Sequence, residues 1–160
     1  MTIVAKETVG DAGEVFGIDA AIQMIRAAKR KAAERGLTIA FSVEALERMS
    51  FPDNRFDVVL ASLVMHHLPD DLKQEAFAEM FRVLKPGGQV FILDIEPSAS
   101  SLTSRFFDWI VQLHGGHTVM KKGVQKLVPM MERAGFTDIE SGAYRTRQLA
   151  SLTAVKEPIP

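Results

Sequence analysis

The stretch at 51–95 constrains the fold more than any other part of the chain. Its two apolar runs, FDVVLASL at 56–63 and QVFILDI at 89–95, are typical of strands that are buried on both faces of a sheet. Between them, apolar residues recur at helical spacing from 72 to 84, and Pro-Gly-Gly at 86–88 predicts the end of that helix. Two strands joined through a helix form a βαβ unit, so we expect them to pair in parallel.

Strand and helix patterns alternate along the rest of the chain. Strand patterns occur at 14–19, 37–43, 136–142 and 148–157, and helical patterns occur at 1–9, 20–35 and 124–134. The last two strands are expected to pair as an antiparallel edge. The alternation predicts the α/β class, as a single domain over 1–160 with helices on both faces of its sheet.

The composition excludes several classes of function. A net charge of −1 gives no electrostatic reason for a nucleic-acid partner, and the absence of Cys excludes disulfides and thiolate chemistry. The apolar runs are far shorter than the roughly 20 residues of a membrane span, so no stable membrane insertion is expected. Lys6, Glu7 and Asp11 stand where the apolar core of a signal peptide would lie, which favours a cytoplasmic protein.

Asp19 is the strongest candidate for ligand binding, because it ends a strand and is followed at once by a helix. In doubly wound folds an acid at this place accepts hydrogen bonds from both hydroxyls of a ribose. The alternative is a helix-capping Asp, and Asp94 is open to the same two interpretations. Gly10, Gly13 and Gly17 do not have the spacing of a phosphate-binding loop, and we expect them to form a turn.

His66 and His67 follow the strand at 56–63, so they are candidates for a general base that acts on a hydroxyl or an activated carbon. The alternative is that one imidazole packs structurally and the other is solvated. His114 and His117 flank two glycines. A metal site would need a third ligand that the sequence does not indicate, so a turn and no metal are expected there.

Three segments carry a resemblance to a known family: FGID at 16–19, FSVEALERMSFPDNRFDVVLASLVMHHLP at 41–69 and FRVLKPGGQVFILD at 81–94. Together they resemble the class I S-adenosylmethionine-dependent methyltransferases, and most closely the small bacterial ubiquinone and menaquinone biosynthesis enzymes. The resemblance implies a Rossmann-like sheet with strand order 3-2-1-4-5-7-6, whose last strand is antiparallel. It also implies S-adenosyl-L-methionine as the cofactor and a small-molecule or lipid-like methyl acceptor.

The resemblance also assigns cofactor-binding positions. Asp19 would hold the ribose hydroxyls, and a backbone carbonyl at Ser62 would meet the methionine amino group. The family usually places an Asp that binds the adenine amino group where this chain has Ala45, so only a backbone N–H at Leu46 remains for that contact. The implied cofactor-binding residues are Asp19, Ala20, Met24, Ala45, Leu46 and Ser62.

Family members carry a first strand and a GxGxG loop ahead of the helix that residues 1–10 would continue, and this sequence begins after both. We therefore expect an N-terminally truncated domain, from a fragment or a misplaced start codon, or else a direct pairing of the strands at 14–19 and 56–63. Exposed sheet edges would then favour a homodimer. The alternative functions are a non-catalytic remnant that binds the cofactor weakly, and a nucleotide-sugar or dinucleotide enzyme of the same broad fold.

Overall fold

A computed structural model describes residues 1–95, 123–144 and 149–158 of the chain. The chain divides into two compact units, Met1–Phe51 and Pro52–Pro160. The expectation of a single domain over 1–160 stays a prediction.

The first unit contains a small parallel sheet. Its elements are helix α1 (Thr2–Val9), strand β1 (Phe16–Asp19), helix α2 (Ile22–Glu34) and strand β2 (Ala40–Val43). Helix α2 contacts both strands and buries Ile25 and Ala32, two of the apolar positions that recur at helical spacing. The chain leaves α2 through Gly36, whose φ of 66° suits a residue without a Cβ.

The second unit contains a four-stranded mixed sheet. Its elements are β3 (Phe56–Ser62), a 3₁₀ turn (Met65–His67), α3 (Asp70–Val83), β4 (Leu84–Ile95), a second 3₁₀ turn (Val124–Leu127), α4 (Val128–Ala134), β5 (Thr137–Tyr144) and β6 (Leu149–Val155). The strand order is β3-β4-β6-β5. Strands β3 and β4 are parallel, which confirms the βαβ prediction, and β6 is antiparallel to both of its neighbours.

This order equals the 4-5-7-6 part of the order that the family resemblance implies, and it includes the antiparallel strand. Strands β1 and β2 then take the places of strands 2 and 3, and they form a separate two-stranded sheet. The direct pairing of the strands at 14–19 and 56–63 occurs in neither sheet. The Rossmann-like α/β fold class is thereby confirmed.

One strand prediction was wrong. Strand β3 is not buried on both faces: Val58 is 53% exposed and Leu60 is 42% exposed. Within its unit β3 is an edge strand with β4 as its one neighbour, so its residues are covered on fewer sides than those of a central strand. The last two strands pair antiparallel at one edge of the sheet, as predicted, with β6 between β4 and β5.

No helix among the described residues is long and apolar enough to cross a membrane. The cytoplasmic location, the homodimer and the absence of a nucleic-acid partner stay predictions.

Lys156 ties the residue after β6 to the end of α3. Its Nζ donates hydrogen bonds to the backbone oxygens of Phe81 (2.9 Å) and Leu84 (2.8 Å) and to Oδ1 of Asn54 (2.8 Å). It also lies 4.7 Å from the centroid of the Phe81 ring. The ammonium thus satisfies carbonyl groups at a helix C-terminus, where the macrodipole also favours positive charge.

We expect Lys156→Met to lower the free energy of unfolding by about 1–3 kcal/mol, because it leaves two partly buried carbonyls without a donor. Urea denaturation followed by circular dichroism measures the change. The control is Lys126→Met, which removes an exposed ammonium and should change stability by less than about 0.5 kcal/mol. Equal stability of the two variants would contradict the capping role.

Candidate functional site

The carboxyl ends of β1 and β2 lie at one edge of the first unit's sheet. Asp19 pairs with Val43, the last residue of β2, and the N–H of Glu44 donates to the backbone oxygen of Asp19 at 3.3 Å. The segments that follow the two strands therefore start side by side. In open α/β sheets ligands bind outside the carboxyl ends of the strands, which makes this edge a candidate binding site.

Asp19 is half-buried at this edge and keeps one carboxylate oxygen available. Its Oδ1 accepts a hydrogen bond from the N–H of Ala21 at 2.8 Å, which holds the turn into α2. Its Oδ2 accepts no hydrogen bond from any described residue. The contact with Ala21 is not a helix cap, because the N-cap of α2 is Ala21 and no side chain caps the helix. Asp19 retains the acceptor oxygen that ribose binding requires. A carboxylate has about four lone-pair sites, so a ribose diol fits this residue.

The other predicted nucleoside contacts flank Asp19. Ala20 is exposed, and Met24, in the first turn of α2, is 58% exposed although its side chain is apolar. Ala45 and Leu46 are half-buried in the segment that follows β2, where Ala45 forms a β-bridge with Arg48. The structure thus brings these five residues to the same edge of one small sheet. An exposed thioether suits packing against a flat aromatic base such as adenine.

Glu44 closes the segment after β2, a role that the sequence reasoning missed. Its Oε2 accepts from the N–H of Ser50 and its Oε1 from the hydroxyl of Ser50, both at 2.9 Å. Partial burial raises the pKa of Glu44, but the hydrogen bonds from the Ser50 backbone and from the Ser42 and Ser50 hydroxyls outweigh it and set the pKa below the usual value. The segment is thus stabilised above the usual Glu pKa, and that support is lost as pH falls through the lowered value.

The spacing of the glycines predicted that the turn before β1 is not a phosphate-binding loop, and its contacts agree with that prediction. Nζ of Lys6 donates to the backbone oxygens of Gly10 (2.9 Å) and Gly13 (2.7 Å), so the turn serves to end α1. Gly17 was expected in the same turn, and that was wrong: it lies inside β1, where a Cβ would come within 2.7 Å of the Phe41 ring. Close packing, and not anion binding, explains this glycine.

A second group of candidates lies at the carboxyl edge of β3 and β4, in the second unit. Ser62, half-buried, pairs with Leu93, so Asp94 is one residue past that pair. The next residue, Leu63, has a φ of 54° and donates its N–H to the backbone oxygen of Leu93 at 2.8 Å. A positive φ is costly for Leu, and such strain is concentrated at functional sites. The conformation turns the chain from β3 towards the histidines.

His66 forms an ion-pair-like contact with Asp94. Its Nδ1 lies 2.5 Å from Oδ1 of Asp94, and its backbone N–H donates to Oδ2 at 3.1 Å. The N–H of Ile95 donates to Oδ1 at 2.7 Å, and Asp94 is only 2% exposed. A buried carboxylate that already accepts these three hydrogen bonds is not available to a ribose. Asp94 is therefore not a ribose-binding residue.

His67 lies beside His66 but has a different environment. The two rings have centroids 3.8 Å apart at an angle of 44°, and His67 is exposed. It has no carboxylate partner among the described residues. The structure thus separates two histidines that the sequence left equivalent. His114 and His117 lie outside the described residues.

Comparisons with known proteins agree with this arrangement. A family model described as methyltransferase domain matches residues 1–88. The chain is 33% identical to the ubiquinone/menaquinone biosynthesis C-methyltransferase UbiE of Bdellovibrio bacteriovorus, over 96% of this chain and 68% of that protein. It is 31% identical to the demethylmenaquinone methyltransferase of a Geobacillus species, over 89% of this chain and 68% of that protein.

Solved structures show the same fold. A SAM-dependent methyltransferase from Methanosarcina mazei matches with a TM-score of 0.73 and 20% identity, over 97% of this chain and 87% of that chain. The strand order, the acid at the end of β1 and the matches in sequence point to one family and to S-adenosylmethionine as its cofactor. This chain belongs to the class I S-adenosylmethionine-dependent methyltransferases.

Proposed function

We propose that this methyltransferase acts on a carbon atom of a small, lipid-like aromatic acceptor of the quinol type. The names of two relatives, a ubiquinone/menaquinone biosynthesis C-methyltransferase and a demethylmenaquinone methyltransferase, support this acceptor class. A ring hydroxyl of a quinol makes the neighbouring ring carbons nucleophilic once its proton is withdrawn. Methylation of such an acceptor therefore requires a base that takes up its hydroxyl proton, but no nucleophilic side chain.

The edge formed by β1 and β2 is the proposed site for the nucleoside of S-adenosylmethionine. Asp19 would accept hydrogen bonds from the ribose hydroxyls through its free Oδ2, and Ala20 and Met24 would pack beside the adenine. Ala45 and Leu46 would border the base from the other strand. The contact of the Ser62 carbonyl with the methionine amino group, which the resemblance implies, stays a prediction. The cofactor supplies an electrophilic methyl group, and its transfer is accelerated mainly by proximity and orientation.

This assignment rests on Oδ2 of Asp19, which accepts no hydrogen bond from any described residue. Replacing this carboxylate tests it. We expect Asp19→Asn to weaken the binding of S-adenosylhomocysteine by tenfold or more, about 1.4 kcal/mol, as measured by isothermal titration calorimetry. An Asn side chain can still accept the hydrogen bond from Ala21. The variant therefore changes the charge and the free acceptor while it keeps the turn.

Asp11→Asn is the matched control, because Asp11 is an exposed carboxylate in a turn of the same unit. It should leave the affinity unchanged. Equal affinity of the wild type and Asp19→Asn would remove the ribose assignment. A wild-type chain that gives no binding heat would favour the non-catalytic remnant, and binding of NAD in its place would favour a dinucleotide enzyme.

A further inference from the structure

We infer that His66 is the general base that removes the hydroxyl proton of the methyl acceptor. Asp94 is the positioning residue that orients His66 for this role. The inference rests on the proposed function and deepens it, since it requires an acceptor that carries an acidic hydroxyl beside the methylated carbon. It is drawn from the contact between the two side chains at the carboxyl edge of β3 and β4.

The carboxylate of Asp94 fixes His66 in two ways. It binds the ring through Nδ1 and the backbone N–H of the same residue through its other oxygen, so the main chain and the imidazole are held by one group. The carboxylate itself is held by the N–H of Ile95 and is almost wholly buried. Met65, the first residue of the 3₁₀ turn, is buried as well, which anchors the turn from its other side. His66 therefore has little rotational freedom.

The contact also decides which ring nitrogen is the acceptor. An ionised carboxylate can only accept hydrogen bonds, so a neutral imidazole that contacts it through Nδ1 carries its proton on Nδ1. The lone pair is then on Nε2, and no described residue binds that atom. When Nε2 takes a proton, the carboxylate stabilises the resulting imidazolium. The Asp of a serine-protease triad acts on its histidine in the same way.

His67 lacks these features. It is exposed, and no described carboxylate selects its tautomer. Its ring packs against that of His66 at a tilt of 44°, which restricts the His66 ring further. The geometry thus assigns the base to His66, and His67 keeps only a packing contact.

The proton balance of the step is complete without a further reactant. The acceptor's hydroxyl proton passes to Nε2 of His66 as the new carbon–carbon bond forms from a ring electron pair. The electron pair of the broken carbon–sulfur bond stays on sulfur, which leaves S-adenosylhomocysteine. Nε2 then returns its proton to the ring oxygen while the ring carbon loses its hydrogen to water and aromaticity is restored. One proton is released to water for each methyl group transferred.

The first measurement reads the tautomer and needs no turnover. In protein labelled with nitrogen-15 at histidine, with His66 assigned by its loss in His66→Gln, we expect the Nδ1–H tautomer and a strongly downfield Nδ1 proton. In Asp94→Asn that proton should move upfield, because a neutral amide is a weaker acceptor than a carboxylate. A wild-type His66 that carries its proton on Nε2 overturns the inference.

The second measurement is methyl transfer to 1,4-naphthalenediol, detected by mass spectrometry of the product and by release of S-adenosylhomocysteine. Asp94→Asn should lower kcat about 10²-fold, within the range of general acid–base catalysis, with the affinity for S-adenosylhomocysteine unchanged. In a His66→Gln background the same substitution should have almost no further effect, because two residues that act as a unit are not additive. Full effects in both backgrounds would show that Asp94 does not act through His66, and would overturn the inference.

The matched control is Asp57→Asn. Asp57 is an exposed carboxylate near the other end of β3, where it accepts a hydrogen bond from Lys85 at 2.7 Å. This variant should keep the wild-type rate. A wild-type chain that binds S-adenosylhomocysteine but does not methylate the diol removes this inference and leaves the cofactor site standing. A chain that binds no S-adenosylhomocysteine removes both.

Discussion

Leu152→Asp is expected to abolish the cooperative folding of the unit Pro52–Pro160. Leu152 is 0% exposed in β6, where it pairs with Ile92 of β4 on one side and Ser141 of β5 on the other. The substitution loses the burial of a Leu side chain, about 1.5–3 kcal/mol, and places a carboxylate in the core at a cost of several kcal/mol more. The sum is comparable with the whole unfolding free energy of a domain, about 5–15 kcal/mol. Urea titration followed by circular dichroism would show no cooperative transition.

Thr153→Asp is the control for the strand itself. Successive residues of a strand point to opposite faces, and Thr153 is half-buried where Leu152 is buried. The control introduces the same residue with the same poor strand propensity, so it should cost only about 1 kcal/mol. Two variants of similar stability would contradict the central position of β6 in the sheet.

The fold was predictable where the signal is local. The parallel pairing of β3 and β4 followed from two apolar runs on either side of a helical repeat, and all of these features are readable within 45 residues of sequence. The placement of β6 between β4 and β5 was implied by the family resemblance and not by its own pattern, because that pattern includes a buried Ser151 and its partner β4 lies about 60 residues earlier in the chain. The exposure of Val58 was missed for a related reason: an apolar run shows that a face can be buried, not that another element covers it.

In the candidate site, too, the positions of single residues were predictable from local sequence, and contacts between distant residues were not. The position of Asp19 between a strand and a helix was predictable from the sequence, and its role in ribose binding is a proposal. The histidines were also recognisable, but the contact of His66 with Asp94 was not, since it spans 28 residues and depends on the register of two parallel strands. The usable signal was that both residues follow strands expected to end at the same edge. The hydrogen bonds of Glu44 to Ser50 depend on the shape of a loop, for which the sequence has no periodic signal.

Helix α3 supports this edge of the second unit, and Phe77 is the side chain through which we expect it to contribute most to stability. Phe77 is 0% exposed and lies on the buried face of α3 with Ala76 and Met80. The same helix contacts β4, which carries Asp94, and α4. Phe77→Ala removes most of an aromatic side chain from a packed core and leaves a cavity, which typically costs about 3–5 kcal/mol. We expect a loss of that size in the free energy of unfolding, measured by urea denaturation.

Phe77→Leu separates the cavity from the aromatic ring. Leu fills much of the same volume, so we expect a loss of less than about 2 kcal/mol, with most of the stability retained. Because the Asp94 contact is made by strand and turn residues, both variants should keep the downfield Nδ1 proton of His66 at temperatures where they are folded. A Phe77→Ala variant as stable as the wild type would show that α3 does not pack as described. Loss of the His66 proton resonance in the folded Phe77→Leu variant would show that the dyad depends on the helix as well as on the two strand ends.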